Sequence, residues 1–356
     1  MSITFEEIGA WPGVLARLTA GEDLGAEEAA CALDQVLSGQ ATPAQIAAFV
    51  AALRTKGETV DEMAGMVRAM LQHAEPLSIP GDLVDTCGTG GDRSGSINVS
   101  TAAAFVVAGA GARVCKHGGR ASSSTTGSAD VLEALGVVID LGPDGVARCV
   151  AEAGMGFCFA PRFHPAMRFA GPVRRELGVA TVFNFLGPLA NPARARHQVV
   201  GVGDPAMAAK MVGVLVANGC VRAWVVHGAD GLDELTTTGT TTVLEVRGGD
   251  EGAGEVRELV VDAADLGLAR ASLQDLRGGD AAANADAVRR VLGGDPGPHR
   301  DIVLLNAAAG LVVAGLAADL AAGLALASAS VDEGRAAEVL RALVAVSQEV
   351  AAGAAG

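Results

Sequence analysis

Apolar residues recur at helical spacing over residues 4–76, and the pattern predicts a wholly helical segment there. Over 27–37, Ala30, Leu33, Val36 and Leu37 share one face before Gly39 stops the run. Thr42 followed by Pro43 reads as an N-cap with proline at the first helical position. Ile46, Phe49, Val50 and Leu53 carry that helix towards Gly57. Thr59 and Glu62 form a capping-box pattern ahead of the apolar stripe Met63, Met66, Val67, Met70 and Leu71. Three short amphipathic helices bury little by themselves. Their apolar faces must meet one another and a further surface, such as a second subunit. Ser78-Ile79-Pro80-Gly81 closes this unit.

From residue 82 the pattern changes to short apolar runs alternating with helical ones. Strands are predicted at 83–84, 112–115, 137–141, 156–160, 198–202, 221–226, 240–246 and 256–261. Helices are predicted at 102–110, 128–135, 144–153, 166–177, 205–218, 280–292, 302–316 and 332–350. The rhythm breaks over 166–192, where Pro188 and Pro192 mark a chain crossing between two domains. The expected class is therefore α/β: a mostly parallel central sheet flanked by helices, plus a small all-helical domain. The helical domain takes residues 1–80, with 166–192 as a hinge, and the large domain takes 81–165 and 193–356.

Composition narrows the function. Aromatic residues make up 3% of the chain and tyrosine is absent, so the core must be built from small aliphatics. A formal net charge of −15 argues against a nucleic-acid surface or an anionic membrane as partner. Cys31, Cys87, Cys115, Cys149, Cys158 and Cys220 show no CxxC spacing, which removes the zinc and redox-dithiol readings. The acidic start lacks a secretory pattern, and the apolar 302–318 stretch is short and rich in Gly and Ala. A soluble cytoplasmic protein is expected.

The chemistry concentrates between residues 85 and 136. Asp85-Thr86-Cys87-Gly88-Thr89-Gly90-Gly91-Asp92 leaves an apolar approach and reaches Asn98-Val99-Ser100-Thr101, which open a helical run. A strand, a glycine-rich loop and a helix start form an anion site, because backbone N–H groups can approach a phosphate closely. A second glycine-rich loop begins at Lys116-His117-Gly118-Gly119-Arg120 and runs to Asp130. Two such loops, with Lys116 and Arg120, suit one extended ligand carrying several phosphates. Spacing rules out the dinucleotide fingerprint and the Walker loop. Asp233-Glu234 follows the 221–226 strand, where ligands bind in open α/β sheets, and is the best metal candidate; a solvated loop is the alternative. His117 and His164 are candidate hydrogen-bonding groups or turn caps. One of Arg174 and Arg175 could bind a carboxylate, while the other is a surface cation.

Taken together, GTGGD, NVST, KHG, GSADVLEALG, HPAM, RRELG, FNFLGPLANP and GLDEL stand in an order that resembles the anthranilate phosphoribosyltransferases over almost the whole chain. The resemblance implies a helical domain that forms a homodimer, a large α/β domain and an active site at the hinge. It implies transfer of a phosphoribosyl group from phosphoribosyl pyrophosphate to the amine of anthranilate in tryptophan biosynthesis, with two Mg²⁺ ions. Carried over motif by motif, Gly88, Gly91, Asp92, Ser96, Asn98, Val99, Ser100, Thr101, Lys116, His117, Gly118, Gly119, Arg120, Ala121, Ser122, Ser123, Ser124 and Ser128 would hold the donor. Ser100, Asp233 and Glu234 would ligate metal. Gly88, His117, Gly119, His164, Arg174 and Pro188 would line the acceptor path. No residue is implied as an acid or base; Lys116, His117 and Arg174 act by positioning.

Two positions depart from the family pattern. Asn usually follows KHG, and here the residue is Gly119, which bears on acceptor identity. Thr125 stands where a lysine is common. Rival readings are a phosphoribosyltransferase for another aromatic acceptor, a pyrimidine nucleoside phosphorylase, and a non-catalytic donor-binding protein. The Asp233-Glu234 pair and the RRELG segment count against the phosphorylase.

Overall fold

The computed structural model describes residues 3–92, 94–121, 126–248 and 254–354. Four helices come first: α1 (Ala10–Thr19), α2 (Ala26–Leu37), α3 (Pro43–Lys56) and α4 (Val60–Gln72). Their starts follow the sequence signals. The Thr42 and Thr59 hydroxyls accept from the Gln45 and Glu62 amides, and both capping boxes are complete. Helix α1 was not resolved as a separate element by the apolar spacing.

Seven strands form one sheet: β1 (Val84–Gly88), β2 (Val114–Gly118), β3 (Met155–Phe159), β4 (His197–Gly201), β5 (Arg222–Gly228), β6 (Thr240–Arg247) and β7 (Glu255–Asp262). Their order is β3-β2-β1-β4-β5-β6-β7. The first five are parallel, and β6 and β7 add an antiparallel edge. Successive strands step outward from β1 in both directions, so β1 and β4 flank a topological switch point, where open α/β sheets place their ligands.

The helices α5 (Val99–Gly109), α6 (Ser128–Leu135), α7 (Pro143–Ala153), α12 (Ala281–Leu292), α13 (Pro298–Val313), α14 (Leu320–Asp332) and α15 (Arg335–Ala354) share one core with the sheet. Alanine and valine dominate it; Ala102, Ala103, Ala104, Val106 and Val107 of α5 are all fully buried. A second core joins α1–α4 to α11 (Pro205–Ala217) and to Val200, Ala223 and Val225 of the sheet. Ala170, Val173, Phe183, Phe185 and Leu186 from the crossing segment belong to this second core.

Four expectations for local structure give way. Residues 137–141 alternate buried and exposed positions like a strand, yet pair with no strand. They run instead beside α15, where the Ser347 hydroxyl accepts from the Val138 amide. After β3 comes the one-turn helix α8 (Ala160–Phe163), and the helix expected at 166–177 splits into a 3-10 turn (Pro165–Arg168) and α9 (Gly171–Leu177), because Pro172 starts a new helix. Helix α10 (Phe183–Leu189) forms although Pro188, in its last turn, removes one backbone donor, and it ends one residue later. The 332–350 helix begins only at Arg335, and α14 before it was hidden by its Gly/Ala composition. Among the described residues no helix is long and apolar enough to cross a membrane. Five cysteines are buried and Cys31 half-buried, all as free thiols.

Candidate active site

The C-terminal ends of β1, β2 and β5 open onto a cavity of about 260 Å³. From the first loop, Gly88, Asp92, Ser96, Asn98, Val99, Ser100 and Thr101 line it. Residues 116–121 and Ser128 line it from the second, and Asp233 and Glu234 from beyond β5. The expected residues Ser122, Ser123 and Ser124, with Thr125, lie outside the described residues. Gly90 and Gly91 take φ of +65° and +82°, left-handed values that a side chain would strain. Gly90 thereby turns its amide onto the Asp233 carboxylate, at 2.7 Å from Oδ2.

Glycines also make room for this contact. A Cβ on Gly88 would come within 2.2 Å of Asp233 Oδ2, and one on Gly201 within 1.6 Å of the Asp233 carbonyl oxygen. The two glycines are register partners at the ends of β1 and β4. They form a notch through which the Asp233 backbone crosses the sheet edge. Next to it, the Ser100 amide in the first turn of α5 donates to Glu234 Oε1 at 3.1 Å. One helix start thus faces a carboxylate from a different loop.

Lys116 is 2% exposed, and its ammonium donates to the Thr86 carbonyl and to Ser100 Oγ at 3.2 Å. Asp85 supports the same strand end. Its carboxylate accepts from Asn191 Nδ2 at 2.8 Å and from the His117 amide at 3.2 Å. Burial pushes the Asp85 carboxyl up to about 6, against the pull of Lys116 and these donors, so it is charged at neutral pH. Asp85→Asn would set an amide NH₂ among N–H donors and remove one of the negative charges near Lys116. A loss of about 3 kcal/mol is expected in urea unfolding.

Asp233 and Glu234 can be reached from the cavity but are otherwise surrounded by protein. Burial, with Asp92 nearby, raises the Asp233 carboxyl to about 6. Burial and Asp233 push Glu234 well above the usual carboxylate range. Two carboxyls that resist ionisation beside a phosphate-sized cavity fit a hard cation with oxygen ligands. Among the described residues no group of three or more His, Cys, Asp or Glu side chains could hold an ion unaided. An ion here would need substrate oxygens or water to complete its shell. Ser100 Oγ is within reach of Lys116, as described, and its amide already serves Glu234.

His117 Nδ1 lies 3.1 Å from the Gly187 carbonyl, which can only accept, so Nδ1 carries the proton. Nε2 is then a bare acceptor, buried and without a partner among the described residues. Burial, then the adjacent His164, lower the His117 ring to about 3, so it stays neutral throughout the physiological range. His164 sits behind it, with ring centroids 5.1 Å apart, and Nε2 donates to the Ala190 carbonyl at 2.9 Å. Neither His164 nor Pro188 lines the main cavities; both are buried.

A second cavity, of about 720 Å³, adjoins the first. Thr89, Gly90, Ala121 and Asn184 line both. Gly91, Arg174 and Arg175 face the larger one. Arg174 lies over the Phe183 ring, 5.3 Å from its centroid, and has no ion pair among the described residues. Burial alone lowers its guanidinium from the usual arginine value. Arg175 is exposed. Arg120 differs from Arg174: Asp130 at 2.9 Å and Glu133 at 2.5 Å already neutralise it.

Residues that no motif marked complete the walls. Asn284 of α12 donates to Asn98 Oδ1 at 2.7 Å, and Asn98 in turn donates to the Thr126 carbonyl at 3.1 Å. A buried asparagine on an alanine-rich helix was the available signal for Asn284. Asn184 and Asn191 fall within FNFLGPLANP, but nothing in that motif marks what their side chains reach.

A mostly parallel sheet with a glycine-rich cradle and paired carboxylates at its switch point suits a ligand carrying several phosphates and a hard cation. Two family descriptions match it: "Glycosyl transferase family, helical bundle domain" over residues 12–74 and "Glycosyl transferase family, a/b domain" over residues 80–337. Anthranilate phosphoribosyltransferase of Chloroflexus aggregans is 55% identical, the match covering 94% of this chain and 97% of that one. The enzyme of that name from a Nocardioides species is 57% identical, over 93% and 96%. The crystal structure of the Thermus thermophilus anthranilate phosphoribosyltransferase superposes with a TM-score of 0.88 at 43% identity, covering 94% of this chain and 99% of that one. The Saccharomyces cerevisiae enzyme, solved in complex with phosphoribosyl pyrophosphate and Mg, gives 0.87 at 26% identity, covering 95% and 98%. The chain belongs to this glycosyl transferase family, among its anthranilate phosphoribosyltransferases.

Proposed function

We propose that the chain transfers the phosphoribosyl group of phosphoribosyl pyrophosphate to the amine of anthranilate, releasing pyrophosphate, as a step of tryptophan biosynthesis. The observation that carries this is the junction of the two cavities. One is lined by amides, Lys116 and the carboxylate pair; the other holds Arg174, a guanidinium without a counter-ion. A multiply charged donor fits the first and an aromatic carboxylate the second, with the reacting carbon and amine meeting beside Thr89, Gly90 and Asn184.

Asp233 and Glu234 are the residues that would hold Mg²⁺, with Ser100 as a third oxygen, and the family resemblance puts the number of ions at two. The bound metal supplies charge neutralisation for the pyrophosphate. The chain's own groups do the rest. The amides of the first loop and of α5 orient the phosphates, and Lys116 adds fixed positive charge beside Ser100. Arg174 holds the acceptor carboxylate, stiffened by its stacking on Phe183. His117 stays neutral, held by the Gly187 carbonyl in the wall of the donor cavity. An aromatic amine is neutral at pH 7, so catalysis rests on positioning and charge stabilisation. Pyrophosphate release measured with each of donor, anthranilate and Mg²⁺ omitted in turn tests the proposal. Release without anthranilate at the full rate would overturn it.

Gly119 favours the second reading, a different aromatic acceptor. A Cβ there would meet nothing closer than Ala160 Cβ at 3.8 Å, so the backbone at Gly119 admits the first side-chain atom of Gly119→Asn without displacement. One added hydrogen bond is worth about 1 kcal/mol, and the KM for anthranilate is expected to fall about fivefold. An unchanged KM would show that the acceptor does not pass this position. Homodimerisation through the helical unit is proposed from the resemblance and from the exposed small residues Ala44, Ala48 and Ala51 on α3.

A further inference from the structure

Arg54, in the last turn of α3, lines the larger cavity, as Arg174 does. Its guanidinium is strung between partners rather than seated on one. Nη2 is 3.4 Å from Asp204 Oδ2, Nη1 is 3.7 Å from Glu58 Oε2, and Cζ lies 5.6 Å from the centre of the Phe185 ring. A seated charge-assisted bond would be about 2.8 Å. Glu58 is 1% exposed, and neither of its carboxylate oxygens has a hydrogen-bond partner among the described residues. A buried carboxylate left this way is costly unless its cation can approach. Both distances therefore describe a pair that is close to contact but not closed.

Asp204 connects this pair to the donor side. Its Oδ1 caps α11 by accepting from the Ala206 amide at 3.1 Å. Its neighbour Gly203 donates to Thr89 Oγ1 at 3.1 Å, and a Cβ on Gly203 would lie 3.3 Å from the Gly90 carbonyl oxygen. Gly90 in turn donates to Asp233. A continuous line of contacts thus runs from the end of α3 through Asp204 to the donor loop and the carboxylate pair.

We infer that Arg54 is a positioning residue: it ties the helical unit to the donor loop across the mouth of the larger cavity, and its ion pair with Asp204 shortens when that cavity closes on an aromatic carboxylate. The inference deepens the proposed function and rests on its acceptor assignment. It also has a consequence that needs no acceptor, because donor and Mg²⁺ order the loop at the far end of the same line.

Asp204→Ser is the main test. Serine keeps the α11 cap, removes the ion pair and leaves Glu58 with Arg54. Arg54→Met and Arg54→Lys accompany it. The KM for anthranilate is expected to rise about fivefold in Asp204→Ser and in Arg54→Met, with kcat within twofold. The double variant should be no worse than either single one, and Arg54→Lys should recover most of the loss. Independently, donor with Mg²⁺ should slow amide exchange over residues 53–57 in the native protein and not in Asp204→Ser. Loss of that protection, even if the native protein does not turn over anthranilate, supports the coupling and defeats only the acceptor assignment. Unchanged KM together with unchanged protection in Asp204→Ser overturns the inference, as does a double variant whose effect is the product of the two.

Discussion

Asp233→Asn combined with Glu234→Gln is expected to lower Mg²⁺-dependent turnover by at least about 10³-fold while raising the melting temperature of the metal-free protein. The two effects have one cause. Both carboxyls have pKa values raised by burial and by their neighbours, so the folded state binds their protons more tightly than the unfolded chain does. Their contribution to stability is complete below the unfolded value. It is lost as pH rises through the folded one, between about 4 and 6 for Asp233. At pH 7.5 the metal-free protein therefore carries the full cost of the buried Asp233 charge, set beside Asp92 and a Glu234 carboxyl that burial also disfavours in its charged form. The neutral isosteres remove it, yet still accept from the Gly90 and Ser100 amides. A rise of roughly 3 °C at pH 7.5, shrinking towards pH 4, is expected in thermal melts. Adding Mg²⁺ and donor should stabilise the native chain and leave the double variant unmoved. A double variant that melts lower at pH 7.5 and keeps its turnover would remove the pair from the metal site.

Gly201→Ala should cost the enzyme about 10²-fold or more in activity by steric means alone. The added methyl would lie 1.6 Å from the Asp233 carbonyl oxygen and 2.4 Å from its carbon, both backbone atoms with no freedom to rotate away. The loop bearing Asp233 must move, and Gly90 loses its acceptor. Overpacking of this kind costs about 1–3 kcal/mol, so the variant should still fold and give a native circular dichroism spectrum with reduced Mg²⁺ affinity. Gly239→Ala is the control, since its methyl would meet nothing nearer than 3.8 Å. Equal activity in the two variants would show that the notch between β1 and β4 does not place the carboxylates.

Much of this site was legible because its parts are local. Gly88 to Thr101 and Lys116 to Arg120 each announce a loop between a strand and a helix, and the capping threonines of α3 and α4 fix two helix starts. What the sequence concealed depends on distant residues. Nothing at Asn191 foretells that its amide reaches Asp85, and nothing at Arg54 foretells Asp204. The alternation over 137–141 was real, but it reflects packing against α15 instead of strand pairing. Arg120 looked like a phosphate cation because Asp130 and Glu133, which neutralise it, are placed by a helix turn that charge counting does not see. The acceptor half is the less legible of the two. It is assembled from α9, α10 and α3, where Pro188 and the broken rhythm obscure the elements themselves.

The most direct test of the central claim follows anthranilate fluorescence after mixing the protein with anthranilate, phosphoribosyl pyrophosphate and Mg²⁺. Fluorescence is expected to decay to completion with one pyrophosphate released per anthranilate consumed, and to stay constant when donor or Mg²⁺ is withheld. Constant fluorescence in the complete mixture, with donor demonstrably bound, would contradict the account.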